Sequence, residues 1–504
     1  MKILMIYPEF PDTFWSFKYA LKFINKKSSF PPLGLLTIAS FLPKEWEVKL
    51  IDMNVQKLKE EIIEWADYIF ISAMLVQKES VDNILTRVKK YNKKIIAGGP
   101  LFTTGFIDYP DIDSIVIGEA ELIIPQLIND ILNDSLKRIY KQDEKPDLKY
   151  VPLPKWDLIN FKNYASMSVQ YSRGCPFDCE FCDIVLINGR IPRTKSPEQM
   201  IKEFDILYEK KWRGSLFIVD DNFIGNKRNV KEMLKYIIKW QKERHYPFNL
   251  FTEASINLAD DDELMDLMVE ANFNKVFIGI ETPEEESLKE VNKIQNTKRN
   301  LIDDIKILQK KGFEVMGGFI VGFDNDNISI FDKMKKFIQK SGIVTAMVGI
   351  LNVLPETKLF YRLKKENRIL KISSGNNTDF LVNFIPKSLT KDKLVEGYKN
   401  IIKDLYSYKI FYQRVWNFIK NYKPKNRHRI CLSEVYPAFL AFLKSTFKLG
   451  IIENSRFYYW KVFIQTLIKN PKAIITYVTL TIYGYHFKKS YEISLKRNLI
   501  KTTS

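Results

Sequence analysis

Three of the four cysteines in this 504-residue chain fall within eight positions: Cys175, Cys179 and Cys182, in YSRGCPFDCEFCD (171–183). The C-x3-C-x2-C spacing follows a predicted strand, so three thiolates share one short loop and can converge on a metal centre. Structural zinc usually takes four ligands, commonly as two pairs. No fourth candidate is near, because the histidines are His245, His428 and His486 and the last thiol is Cys431. Three thiolates on a cubic iron–sulfur cluster would leave one iron open to bind another molecule. Gly174 and Pro176 shape the loop, and Phe181 can shield a cluster from water. A zinc loop completed by a distant ligand, or three unrelated buried thiols, are the alternatives.

The elements that must carry this loop alternate strand and helix. Before it, KILMIY, WEVKLID, YIFISA, KKIIAGG and DSIVIG are short β-branched runs, each stopped by Pro, Gly, Asp or Ser. Helical segments such as PLGLLTIASFL and ESVDNILTRVKKY separate them. Residues 1–140 therefore predict a doubly wound, five-stranded parallel α/β sheet, whose ligands sit beyond the carboxyl ends of the strands. Residues 141–165 are a proline-bearing connector of mixed charge. From 166 to 375, six further strands alternate with helices, fewer than the eight of a full (β/α)8 barrel. A partial, TIM-like (β/α)6 barrel is expected there. A mostly helical region follows, 376–504.

C-x3-C-x2-C with an aromatic before the last Cys, ahead of six βα units, resembles the radical S-adenosylmethionine (SAM) superfamily over most of 168–370. The resemblance implies a [4Fe-4S] cluster on Cys175, Cys179 and Cys182. Its open iron takes the amino and carboxylate groups of SAM, and reductive cleavage gives a 5′-deoxyadenosyl radical. It implies SAM contacts at strand ends: Asp220, Asp221 and Asn222, with a carboxylate there to pair with the ammonium, then Glu253 and Ser255. It adds Gly279 and Glu281, and Gly318 and Gly322, whose lack of a side chain would let adenine approach the backbone. NVLPETKLFYRL resembles the family's Pro-Gly-Thr stretch, with Glu356 where Gly is common.

A five-stranded domain before such a barrel is similar to the cobalamin-binding radical SAM group. The matching pieces imply cobalamin contacts at Pro32, Gly34, Asp52, Asn54, Ser72, Met74, Gly98, Gly99, Gly118 and Glu119. Classical cobalamin domains carry Asp-x-His-x-x-Gly. Here Asn54 stands where the histidine would be, so no histidine is expected beneath the cobalt. With both cofactors, the implied chemistry is methylation of an unactivated carbon through the 5′-deoxyadenosyl radical and methylcobalamin.

Charge is unevenly spread along the chain. Of 78 Lys/Arg and 60 Asp/Glu, residues 387–504 hold 23 and 6, a surplus of 17, together with 22 of the 68 aromatic residues. Nucleic acid, an anionic membrane surface and a solvated basic face are the three explanations. Clustered aromatic and β-branched residues in 453–489, flanked by lysines, favour a membrane or an apolar substrate over nucleic acid. This end resembles the C-terminal extension of a subgroup that includes hopanoid C-2 methylase, through NPK (470–472) and the apolar run after it. The apolar runs stop short of the roughly 18–20 residues of a spanning helix.

Low cysteine content excludes a disulfide framework. MKILMIYPEF reads as a first strand and not a signal peptide, so a reducing cytoplasm is expected, with peripheral contact at the inner face of the membrane. The expected partners are a small-molecule, lipid-like substrate and an electron donor such as flavodoxin or ferredoxin. The competing functions are a non-methylating radical rearrangement, cyclisation or carbon–carbon coupling, a tRNA-modifying enzyme, and a non-catalytic cobalamin or redox sensor.

Overall fold

The computed structural model describes residues 1–104, 109–425 and 432–503, without the side chains of 432–434 and 497–503. His428 and Cys431 lie outside the described residues.

The front sheet runs through β1 (Lys2–Tyr7), β2 (Glu47–Asp52), β3 (Tyr68–Ser72), β4 (Lys94–Gly98), β5 (Ser114–Ile117) and β6 (Ile139–Lys141), ordered 2-1-3-4-5-6. Every pairing is parallel. The order reverses between β1 and β3, which opens a crevice at the carboxyl ends of those two strands. A sixth strand extends the expected five. Only three residues long, β6 ends where the charged connector begins, and no apolar run marks it. Its pairing with β5 holds it in place.

β7 (Met167–Val169) begins the barrel. The cysteine loop is framed by a small antiparallel pair, β8 (Ser172–Arg173) and β9 (Arg193–Thr194). β10 (Gly214–Ile218), β11 (Phe248–Glu253), β12 (Phe273–Glu281), β13 (Glu314–Val321) and β14 (Ala346–Ile350) complete a six-stranded parallel sheet, ordered 14-13-12-11-10-7. Burial along the strands explains their orientation. In β11, Phe248, Leu250 and Thr252 are buried under the outer helices, whereas Asn249, Phe251 and Glu253 are half-buried and face inward. The outer helices carry ordinary start signals: Ser196 and Gln199 make a reciprocal capping box at Pro197–Glu209.

Side-chain bonds join the front sheet to the barrel region. Glu119, just beyond β5, accepts hydrogen bonds from Arg173 at the end of β8 (2.7 Å) and from Arg193 of β9 (2.6 Å). Tyr164, ahead of β7, donates 2.9 Å to Asp52 at the end of β2.

The last region is helical: Tyr408–Ile419, Leu432–Phe447, Arg456–Lys469 and Ile474–Thr503. One apolar window there, Val435–Ile452, reaches 18 residues with a mean hydropathy of 1.3 and is 22% buried. This amends the expectation that every apolar run is shorter than a span, because the run continues through Phe447 into the five-residue turn Lys448–Ile452. The final helix docks on the front region through His486. Its Nε2 lies 2.9 Å from the Phe14 carbonyl, and burial pushes its pKa down to about 4.

Candidate active site

The cysteine loop leaves β8 at Gly174. A Cβ there would sit 2.9 Å from the Ile191 carbonyl, and φ is +102°, so the tight approach requires glycine. Backbone bonds from Cys175 N to Gly189 O (3.2 Å) and from Cys182 N to Cys179 O (3.2 Å) fold the loop on itself. Arg362 grips it from outside, with Nε 2.7 Å and Nη2 2.9 Å from the Glu180 carboxylate. Lys358 pairs with Asp178. Both cations follow the LPET segment, so that stretch clamps the cysteine loop. Glu356 has φ of +64°, the left-handed region that glycine favours.

All three thiols are free and half-buried. Asn222 Nδ2 points at Cys175 Sγ (3.8 Å), and Gln295 Nε2 at Cys179 Sγ (3.7 Å). Burial raises all three thiol pKa values, Cys182 most. Thiolates would therefore form here with cationic iron to stabilise them, and nearby Lys293 works in the same direction. Among the described residues no three Cys, His, Asp or Glu side chains close on one ion. The donor set suits three corners of a polynuclear cluster better than a single zinc.

The residues expected at SAM divide into two groups. Asn222 and Ser255 meet beside Cys175, the Asn222 Nδ2 lying 3.2 Å from Ser255 Oγ. Glu253 faces the interior with its carboxyl held up at about 7, by burial first and then by the Asp221 charge. Asp220 is not available to an ammonium. Its Oδ1 accepts from Tyr171 N (2.8 Å), and its Oδ2 from Ser172 N (2.8 Å) and Ser172 Oγ (2.6 Å). It braces β8 instead. Asp221 spends one oxygen on Gly174 N and Asn188 Nδ2, both at 2.8 Å. Glu281, at a bulge where the β12–β13 register shifts, pairs with the half-buried Lys293 at 2.7 Å. Gly279 leaves room for that pair. Gly318 of β13 and Gly322 just beyond it are required by packing: a Cβ on Gly318 would strike the Phe277 ring at 2.8 Å, and one on Gly322 would strike Leu394 at 2.9 Å.

The cobalamin candidates separate in the same way. Asp52 is 1% exposed and accepts from Asn54 N (2.9 Å), Asn54 Nδ2 (2.7 Å) and Tyr164 OH. Asn54 Oδ1 in turn accepts from Phe10 N at 2.8 Å. Both side chains are thus bound into the protein. Glu119 is corrected likewise, since its two oxygens hold Arg173 and Arg193. Gly98 packs on Val116. By contrast, Gly34 and Gly118 have no protein atom within 4 Å of a notional Cβ. Gly34 opens the helix Leu33–Ala39 after the buried Pro32, Gly99 has φ of +97°, Ser72 lies beside it and Met74 is 47% exposed. Open space at these two glycines is what the close approach of a large planar ring needs.

A row of aromatic rings was not anticipated from the sequence. Phe217 and Phe251 stack at 4.6 Å and 6°, and Phe30 of the front region lies 5.1 Å from Phe217. Trp15 meets Phe277 edge-on at 5.0 Å. All project from inward strand positions or from the front region, and all are partly accessible. Period-2 alternation in FNLFTE and NKVFIGIE was the available signal.

Family models match three stretches of the chain: the B12 binding domain at 23–128, the radical SAM superfamily at 169–338, and a domain of unknown function (DUF4070) at 357–498. An uncharacterized methyltransferase, sll1242, of Synechocystis sp. is 41% identical over 98% of this chain and 92% of its own. Hopanoid C-2 methylase of Rhodopseudomonas palustris is 30% identical over 93% and 90%. Among solved structures, the cobalamin-dependent radical SAM enzyme OxsB with aqua-cobalamin and SAM bound superposes with a TM-score of 0.63 at 17% identity, over all of this chain and 81% of that one. The methyltransferase TsrM from Kitasatospora setae, with cobalamin and [4Fe-4S] cluster bound, gives 0.63 at 13% identity over 98% and 99%.

The fold and site define a cobalamin-dependent radical SAM enzyme, using a [4Fe-4S] cluster, SAM and cobalamin. The chain belongs to the radical SAM methyltransferase family with an N-terminal cobalamin-binding domain and a C-terminal extension.

Proposed function

We propose that this enzyme methylates an unactivated carbon of an apolar, lipid-like molecule lodged between the front sheet and the barrel. Cys175, Cys179 and Cys182 hold the cluster. Asn222, Ser255 and Glu253 receive SAM, and Pro32, Gly34, Ser72, Met74, Gly99 and Gly118 line the cobalamin. When bound, the cluster supplies the electron that cleaves SAM, and cobalamin supplies the methyl group. The chain's own residues do the rest. Arg173 and Glu119 fix the distance between the two halves, Lys293 sets a positive charge beside the thiolates, and the aromatic wall excludes water.

The observation that carries the substrate class is that wall. Phe30, Phe217, Phe251, Phe277 and Trp15 present ring faces and edges to the space between the sheets, where a polar substrate would lose hydrogen bonds with water and find few replacements. Hopanoid C-2 methylase, similar over nearly the whole length, is consistent with such a substrate. Reduction would come from a small donor such as flavodoxin or ferredoxin, and the C-terminal region would meet the inner membrane face from the cytoplasm.

The test is an anaerobic incubation of reconstituted enzyme with reductant, cobalamin, methyl-labelled SAM and a membrane-lipid extract. Label should enter the lipid fraction. 5′-Deoxyadenosine formed without labelled lipid would favour a rearrangement or coupling instead.

A further inference from the structure

In the C-terminal region, two consecutive helices turn their apolar stripes outward. On Leu432–Phe447 the exposed residues are Tyr436, Phe439, Leu443 and Phe447, spaced three to four apart as on one helix face. On Arg456–Lys469 they are Phe457, Trp460, Ile464 and Ile468, at the same spacing. Ile451 and Ile452 stand exposed at the turn between them. Phe457 is 68% and Ile468 71% exposed.

The two helices are a packed unit and not frayed ends. Phe442 stacks on Phe463 at 5.9 Å, and the Tyr459 hydroxyl lies 3.3 Å from Ser445 Oγ and 3.2 Å from Thr446 Oγ1. Lys444 ties the hairpin to the front region through the Lys22 carbonyl (3.4 Å) and Asn25. A stripe at helical spacing normally faces a core. Here the core side is already taken by Tyr459, Val462 and Thr466, all buried, so the second stripe needs another apolar phase.

We infer that this hairpin, 435–475, is a monotopic docking surface for an anionic lipid bilayer. Charge selects that occupant over another copy of the chain. Residues 435–475 carry six Lys/Arg against one acid, Glu453, and Glu453 is engaged by Lys448 and Tyr408 within the fold. Two such surfaces face to face would repel, whereas exposed Lys461, Lys469 and Lys472 beside the stripe match anionic headgroups. Tyr436 and Trp460 within the stripes are side chains suited to the interfacial depth. The inference rests on the proposed lipid substrate, because an enzyme acting on a bilayer component must dock where that component is held.

The experiment is cosedimentation of the full-length, cluster-loaded protein with phosphatidylglycerol/phosphatidylethanolamine vesicles and with pure phosphatidylcholine vesicles. The wild type should bind the anionic vesicles, more weakly as salt rises, and bind phosphatidylcholine at least tenfold less. Phe457→Asp/Ile468→Asp should lose at least tenfold in binding while keeping wild-type cluster absorbance and gel-filtration volume. Lys461→Glu/Lys469→Glu, a second variant at exposed positions, should lose binding to anionic vesicles alone. A wild type that stays in the supernatant, or a Phe457→Asp/Ile468→Asp protein that binds unchanged, would overturn the inference. So would a wild-type dimer that the same variant converts to monomer without any vesicle binding. Labelling of detergent-dispersed lipid is read separately. Unchanged labelling without vesicle binding removes the docking surface and spares the substrate assignment. Binding without labelling does the opposite.

Discussion

Arg173 Nη1 lies 2.7 Å from Glu119 Oε2, and the arginine is two residues before Cys175. Arg193 approaches the other oxygen of Glu119 at 2.6 Å, and Arg173 Nη2 reaches Glu121 at 2.7 Å. The end of β5 in the front sheet is therefore joined through largely buried charges to the root of the cysteine loop.

Removing Glu119 takes the carboxylate from Arg193 and leaves Arg173 with Glu121 alone. Glu119→Ala should destabilise the protein by about 3–5 kcal/mol, read from denaturant unfolding of the cofactor-free chain. Glu119→Gln should cost less and should lower methyl transfer more than SAM cleavage, because the cluster site survives while the spacing between the halves relaxes. Equal losses in both reactions would contradict the joint.

Asn54 is spent on Asp52, Phe10 and Pro8. Asn54→Ala should cost about 1–3 kcal/mol per polar group left unpaired and leave the electron paramagnetic resonance spectrum of Co(II) cobalamin in the enzyme unchanged. A changed spectrum would mean that this residue reaches the cobalt.

Glu253 has a folded pKa of about 7, raised chiefly by burial, against about 4.3 in an unfolded chain. Between those values the native state binds the extra proton, so stability falls as pH rises from about 4.3 to about 7 and is level beyond. In the SAM-free protein, Glu253→Gln should raise the thermal midpoint relative to wild type at pH 8 and leave it close to wild type at pH 4.5. A pH-independent difference would refute the assignment.

Glu356 sits at φ of +64°, a conformation that costs most non-glycine residues roughly 1–2 kcal/mol. Glu356→Gly should hold or raise the thermal midpoint, despite losing the contact with Tyr361. A clear fall would mean that this contact outweighs the strain.

What could be read without coordinates was local. The cysteine loop and the central strands announce themselves by spacing and β-branched runs, and Asn222 and Ser255 do meet beside Cys175. Asp220 looked like a ligand because strand-end carboxylates often are, but its partners Tyr171 and Ser172 lie 48 to 49 residues away. Glu119 looked like part of a crevice for the same reason, and its arginines are 54 and 74 residues distant. Gly318 reads the same whether the absent side chain makes room for adenine or for Phe277. Only packing decides. β6 carries no legible period, because it is three residues long and abuts a charged connector.

The central claim is that Cys175, Cys179 and Cys182 hold an iron–sulfur cluster that cleaves SAM. Anaerobically reconstituted wild type and Cys179→Ala should be compared for iron and sulfide content and for 5′-deoxyadenosine formed from SAM under a strong reductant. The wild type should carry stoichiometric iron and sulfide and release deoxyadenosine, and Cys179→Ala should lose both. A wild type that binds zinc or no metal, or a Cys179→Ala protein that still cleaves SAM, would contradict the account.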